Sequence, residues 1–560
     1  MKTIVCSVAL YFVVSMGFSQ FQHSFGTEKS EMGRSLDQLQ QVEKGYIIGG
    51  YTSKNYIGSL EATLVKTDLN GNQIWSRVYG GENYEYFNSV RQSINFTFKD
   101  EVSYVAAGIT RSFGFGSGDA YLVGVDVNGA TVFSNVYGGK EYDVAHCVQS
   151  IKDQNGKPGY IFVGETRSYS QFFPGTNVYV VQTDHLGNLV RSTVIGGEGD
   201  QRGMWIEQTK DGGYIIAGAT TNYWCGASST LANPPSDIFI IKLKPDLTIE
   251  WNRIVGYPGE LTPSQSYRNM ANCVKQNNQG NYVLTGYTNS FGINNSFDAF
   301  LLYMGANGNF LGMKTYGTER RELGYGLEET VGVFGNQNYT IVGQNNISST
   351  KAMMFQTDAG GSLLWARNYG KDGVEGGFEM TRDTYDKGFA FTGYTTSLGA
   401  GATDIYLVET TDTGKTGTVC EKEIKLEEVK HEPCITKSAQ QVFVDEYERI
   451  QHKQIRVEYK QDRCIGFIGN EPNKGLGASE NAIEMFPNPV NDRLTMQLGE
   501  LTKGTQLTIF DTYGNIAMKS IDMGQKEHIE IDTKDLRPGM YMIKLEQKNG
   551  SVKVLKFLKK

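Results

Sequence analysis

The chain has 560 residues and a formal net charge of −8, with 67 glycines, only 12 prolines, 32 tyrosines and 28 phenylalanines. That length exceeds what one hydrophobic core can organise, and the composition suits many short strands joined by glycine turns. The acidic balance excludes a nucleic-acid surface, which needs clustered Lys and Arg to displace counterions.

In chain order, the first element is residues 1–19. An early Lys2, an apolar run from Ile4 to Phe18 and the small-x-small triplet Gly17-Phe18-Ser19 read as a secretory signal removed before Gln20. The run is short for a membrane span, and no other segment is apolar enough, so no transmembrane segment is expected in the mature chain.

From residue 20 to 417 the chain repeats itself. One strand motif recurs seven times: "GYIIGGYTS" from Gly45, "SYVAAGITRS" from Ser103, "GYIFVGETRS" from Gly159, "GYIIAGATTN" from Gly213, "NYVLTGYTNS" from Asn281, "NYTIVGQNN" from Asn338 and "GFAFTGYTTS" from Gly388. Each is followed by a variable loop, an apolar run such as "DAYLVGVD", a turn such as "DLNGN", and a closing segment that ends in glycine, such as "WSRVYG". A further strand, for example "AHCVQSI", leads into the next copy. Four short antiparallel strands at this period predict the blades of a seven-bladed β-propeller. The seventh unit lacks its closing segment, whereas "FQHSFG" at the mature N-terminus has Phe21 five residues before Gly26, in register with Trp75 and Gly80. It is therefore expected to supply the outer strand of the last blade and so hide two sheet edges. The repeats resemble those of secreted bacterial propeller proteins and, distantly, the Asp and Trp turns of sialidase and quinoprotein blades.

Residues 418–480 change character: they are charged, with no glycine from Thr418 to Cys464, and read as a spacer and linker. Cys420, Cys434 and Cys464 cluster here, and an exported protein can oxidise them. No C-x-x-C or Cys/His spacing suggests a metal site, and no motif calls for a cofactor. Residues 481–560 return to strands, which predicts a small Ig-like β-sandwich with hairpin turns at "TYGN" and "KNG". Their motifs, Phe486-Pro487-Asn488-Pro489, Asn491 to Leu494, Phe510 to Gly514, Leu536 to Tyr541 through Gly539, and the closing run from Lys556, resemble the type A C-terminal sorting domain of Bacteroidetes type IX secretion cargo. That resemblance implies engagement of the type IX machinery and display at, or release from, the outer-membrane surface.

Function is expected on the variable loops of the propeller. Tyr56, Phe113, Phe115, Tyr169, Phe172, Phe173, Tyr223, Trp224, Phe291 and Phe297 place rings beside hydroxyls and amides there, which suits stacking on sugar faces or docking a protein. The reading is a surface binding or adhesion module for a glycan or an envelope or host protein. The alternative is a polysaccharide-degrading enzyme using Glu85, Asp143, Asp200, Glu260, Glu322 and Glu375, acids that recur after the closing glycines. No catalytic nucleophile signature is present.

Overall fold

The chain's turns set its strand order. In the first one, Asp68 Oδ1 accepts the backbone N–H of Asn70 at 2.9 Å and of Asn72 at 2.8 Å, and Gly71 sits at φ +73. An aspartate that closes its own turn and a residue free to adopt the left-handed region make a tight hairpin. The same device recurs at Asp126, Asp153 and Asp184.

The computed structural model describes residues 20–560 except 41–43, 54–58, 95–101, 154, 170–174, 198, 222–234, 258–266, 332–336, 386, 419, 437–441, 445–450, 455–459, 462–465, 468–483, 487–491, 498–505, 512–515, 523–527, 538, 547–551 and 560. It is an all-β protein of two compact units, 1–470 and 471–560.

The first unit holds seven antiparallel sheets of five strands. Sheet one runs Glu31–Leu39, Gly45–Ser53, Leu60–Thr67, Gln73–Tyr79. Sheets two to six repeat the pattern from Glu85, Asp143, Gln201, Asn269 and Glu322. Sheet seven runs Glu375–Arg382, Phe389–Thr395, Asp404–Thr410 and takes its fourth strand from the N-terminal Gln22–Gly26, with Phe25 opposite Ile405. Phe21 and Phe25 bury their rings there among Leu36, Tyr46, Ile405 and Leu407. First strands pack in succession from sheet one to sheet seven, and Glu375–Arg382 returns to Glu31–Leu39, so the contacts form a circle.

Neighbouring sheets are stitched by the closing segments. The Tyr79 hydroxyl donates to the carbonyl of Gly129 in the next sheet's turn at 2.8 Å, Tyr316 to Gly361 at 2.5 Å and Tyr369 to Gly414 at 2.7 Å. Trp75 Nε1 adds a bond to Val127 O at 3.0 Å, and Trp251 Nε1 one to Ala306 O at 3.2 Å. At the join between first and last sheets, His23 Nδ1 donates to Gly71 O at 3.2 Å. These rings thus keep polar partners, and each of these bonds crosses between sheets.

Between 418 and 467, where a spacer is expected, the described residues form strands. The strands Glu421–Glu423, Glu427–His431, Cys434–Thr436, Val442–Val444, Gln451–Gln454, Lys460–Gln461 and Gly466–Phe467 add a fifth, outer strand to sheets six, five, four, three, two, one and seven in that order. The belt passes the ring backwards and covers every outer edge. An edge offers unpaired backbone groups that any chain can meet, so the belt needs no apolar alternation and tolerates its charges. Glu428 and Glu421 pair Lys314 at 2.6 Å and Arg367 at 3.7 Å.

The second unit has a three-stranded sheet, Glu484–Phe486, Arg493–Gln497 and His528–Asp532, and a four-stranded sheet formed by Ile516–Asp522, Gln506–Asp511, Gly539–Glu546 and Val552–Lys559. Leu494, Met496, Leu507, Ile509, Ile531, Ile543 and Leu545 make its core. Tyr541 is buried and donates to Arg537 O at 2.9 Å. Lys556 lies on the last strand opposite Met542. Pro487, Asn488, Pro489 and Gly514 lie outside the described residues.

Candidate functional site

The seven first strands align position by position, and each carries a β-bulge at its fourth residue. The bulged residues are Arg34, Asn88, His146, Met204, Asn272, Tyr325 and Phe378. A bulge re-aims the side chain it carries. Here all seven line one cavity of about 180 Å³, joined by Ser89, Trp205 and Glu379. The site is therefore made by every sheet of the circle and by no single loop.

Aromatic rings and arginines surround this well. The Arg34 guanidinium lies 5.7 Å from the Tyr86 ring and 5.6 Å from the Phe378 ring, within cation–π range. Phe378 packs against Tyr325 at 5.3 Å and Tyr394 at 5.8 Å. Tyr86 meets Tyr84 at 5.6 Å and Tyr51 at 6.4 Å. Burial, reinforced by the charges of Arg202 and Arg34, pushes the His146 imidazole down to about 3, so it stays neutral and its ring can accept as well as donate. Asn88 and Asn272 tie the well together, donating to Ala145 O at 2.9 Å and Gly324 O at 2.7 Å in the following sheets.

Three residues further along the first strands, Asp37, Arg91, Glu207, Lys275 and Glu328 form a charged floor that Glu379, next to Phe378, joins. Arg91 pairs Glu379 at 2.6 Å, and Lys275 pairs Glu328 at 3.3 Å and Glu207 at 3.7 Å. Both cations also lie over Trp205, Arg91 at 5.2 Å and Lys275 at 5.4 Å from its ring. Burial holds the Asp37, Glu207 and Glu379 carboxyls above the ordinary carboxylate range, opposed by Arg91 and Lys275.

The expected acids sit elsewhere and are occupied. Glu85, Asp143, Glu322 and Glu375 are 0% exposed. Glu85 accepts Gly81 N–H at 3.0 Å and Thr110 Oγ1–H at 2.9 Å. Asp143 accepts Gly139 N–H at 2.8 Å and Ser168 Oγ–H at 2.6 Å, and Glu322 accepts Thr318 N–H at 2.8 Å. Lys351 pairs Glu375 at 2.6 Å. Asp200 stands one residue before the equivalent position, which Gln201 occupies, and takes Thr176 N–H at 2.9 Å. Glu260 lies outside the described residues. These groups cap the loop after each closing glycine. The glycine itself is required because a Cβ on Gly26, Gly138 or Gly317 would overlap the aspartate that starts the neighbouring third strand, Asp404, Asp119 or Asp298.

The expected aromatics divide. Tyr169 is buried, its hydroxyl donating to Gly138 O at 2.7 Å and its ring 5.9 Å from Tyr179, so it packs its loop onto the sheet and does not face solvent. Phe113 and Phe291 are half-buried against the core, Phe291 lying 5.2 Å from His431 of the belt. Phe297 packs on Tyr287 at 5.6 Å and under Arg321 at 5.4 Å. Phe115 is 39% exposed. Tyr56, Phe172, Phe173, Tyr223 and Trp224 lie outside the described residues. None of the described five lines the well. The signal that could have found the well is a column of large, mostly polar or aromatic residues, Arg, Asn, His, Met, Asn, Tyr and Phe, one place after a column of mostly small ones.

Residues 484–560 match the family described as secretion system C-terminal sorting domain. The chain is thus a type IX secretion cargo, directed to the cell surface or the extracellular space. Among the described residues no helix is long and apolar enough to cross a membrane. No curated protein matches the chain. Among solved structures it is similar to Sqt1 from Chaetomium thermophilum, at 10% identity, a TM-score of 0.38, and coverage of 70% of this chain and 100% of that one. It is also similar to the extracellular domain of a hybrid two component system, BT3049, from B. thetaiotaomicron, at 10% identity, a TM-score of 0.22, and coverage of 94% and 67%.

Proposed function

We propose that the seven sheets are the blades of a β-propeller closed by its N-terminal strand, that residues 1–19 are its signal peptide, and that the mature protein is a glycan-binding module at the cell surface. The observation that carries this reading is the cavity to which all seven bulges contribute, with Tyr325 and Phe378 beside Arg34, Asn88 and Asn272. Rings stack on sugar faces while amides and guanidinium order the hydroxyls, a mix suited to a ligand that is apolar on one side and polar at its edges. Polymer cleavage by the loop carboxylates has less support. A glycosidase needs two acids that reach one bond, and Glu85, Asp143, Glu322 and Glu375 spend their oxygens on their own loops.

The test is a glycan-array measurement of the mature full chain beside Phe378→Ala. Binding that the variant loses, with its melting profile kept, supports the reading. Binding that the variant retains moves the site to the outer loops, and shortening of a polysaccharide by the unmodified protein would favour the enzyme.

A further inference from the structure

Two residues that line the well, Arg34 and Trp205, each carry an N–H donor without an acceptor. Arg34 Nε and Trp205 Nε1 are buried, and neither finds a hydrogen-bond partner among the described residues. Buried donors without partners are costly and uncommon. Both residues belong to the lining of one cavity, where a small shift would let a ligand acceptor meet them. Glu379, the acid in the lining, is neutralised by Arg91 at 2.6 Å, whereas Arg34 makes no ion pair among the described residues and rests only against the Tyr86 and Phe378 rings. The guanidinium is therefore a cation of the lining that no carboxylate pairs, and its planar fork suits an oxyanion. The volume of about 180 Å³ is below the roughly 300–1,000 Å³ typical of a drug-sized ligand. One sugar residue fits the scale and a chain does not.

The geometry points to an acidic sugar: the well takes a terminal sugar residue through its carboxylate, with Arg34 and Trp205 as the donors and Phe378 as the ring against its face. This inference rests on the glycan reading above and names the class of glycan. Binding joins existing groups and breaks no covalent bond.

The experiment is titration calorimetry of the mature full chain with uronic acid monosaccharides, glucuronate and galacturonate, each against its neutral parent sugar, glucose or galactose. Either uronate should bind at least about tenfold more tightly than its parent, the effect of one charge-assisted pair. Arg34→Gln should erase that preference, and Arg34→Lys should keep part of it. Equal affinity for acid and parent overturns the inference and leaves the glycan reading standing. Silence toward all four sugars overturns the inference too, and an array positive for other glycans in the same preparation would show that the glycan reading survives it. Competition by inorganic sulfate alone, with no uronate preference, would make the well a general oxyanion site and refute the sugar-acid assignment. Should Arg34→Gln fold poorly, Trp205→Phe, which removes the second donor and keeps the ring bulk, must weaken uronate binding more than binding of the parent sugar.

Discussion

Replacing Asp298 with Asn should stabilise the protein in a way that depends on pH. Asp298 opens a third strand, and burial, with Glu322 and Glu427 nearby, pushes its carboxyl up to about 7 from 3.8, against the hydrogen bonds from Ser296 and Ile293. An acid whose folded value is raised holds its proton in the fold while the unfolded chain has lost it. The folded state therefore binds more protons between about pH 4 and 7, and stability falls as pH rises through that window. A shift of about 3 units corresponds to roughly 4 kcal/mol at 1.36 kcal/mol per unit, and halving it for screening near the sheet end leaves about 2 kcal/mol. An amide has no such cost. Elsewhere the equivalent pair is already acid with amide, since Asn269 Nδ2 donates to Asp237 Oδ1 at 3.1 Å. Relative to the unmodified protein, Asp298→Asn should be near neutral at pH 4 and gain about 2 kcal/mol at pH 8. Loss of one acceptor oxygen lowers both values by about 1 kcal/mol without changing their difference. With about 2.1 cal/mol/K per residue over the first unit, that difference is a Tm change of about 2 °C, read by scanning calorimetry at the two pH values. A variant whose Tm offset is the same at pH 4 and pH 8, or smaller at pH 8, would refute the reasoning.

Tyr369→Phe removes the bond to Gly414 O and leaves a buried carbonyl unpaired, which should cost about 1–3 kcal/mol, checked by denaturant titration. Gly138→Ala would drive a Cβ into the Asp119 and Asp143 carboxylates and should cost at least about 2 kcal/mol as overpacking, read by the same titration. Val429→Pro deletes the belt's N–H opposite Thr315. Hydrogen exchange should then rise along Phe310–Gly317 and stay unchanged in Tyr282–Thr288 two strands inward.

Much of the fold was legible because its rules are written in side chains. Asp68 and Gly71 announce a turn, and Phe21 five residues before Gly26 announces a strand in the register of Trp75 and Gly80. The belt was not, because Glu427–His431 pairs through its backbone at an edge that faces water, where no apolar alternation is selected. The recurrent acids were visible in the sequence, but the choice between reacting and capping depends on where Gly81 and Gly139 point their N–H groups, which only the folded loop fixes. The well was hidden for the opposite reason. Its residues vary from sheet to sheet, with only asparagine recurring, and a search for repetition passes over a column that does not repeat.

The most direct test of ligand binding at the circle's centre is hydrogen exchange of the mature chain with and without a glycan selected on the array. The account predicts protection that is shared by the bulges around Arg34, Asn88, His146, Met204, Asn272, Tyr325 and Phe378. Protection confined to segments away from the well, such as the loop around Phe113 and Phe115, with those seven segments unchanged, would contradict it.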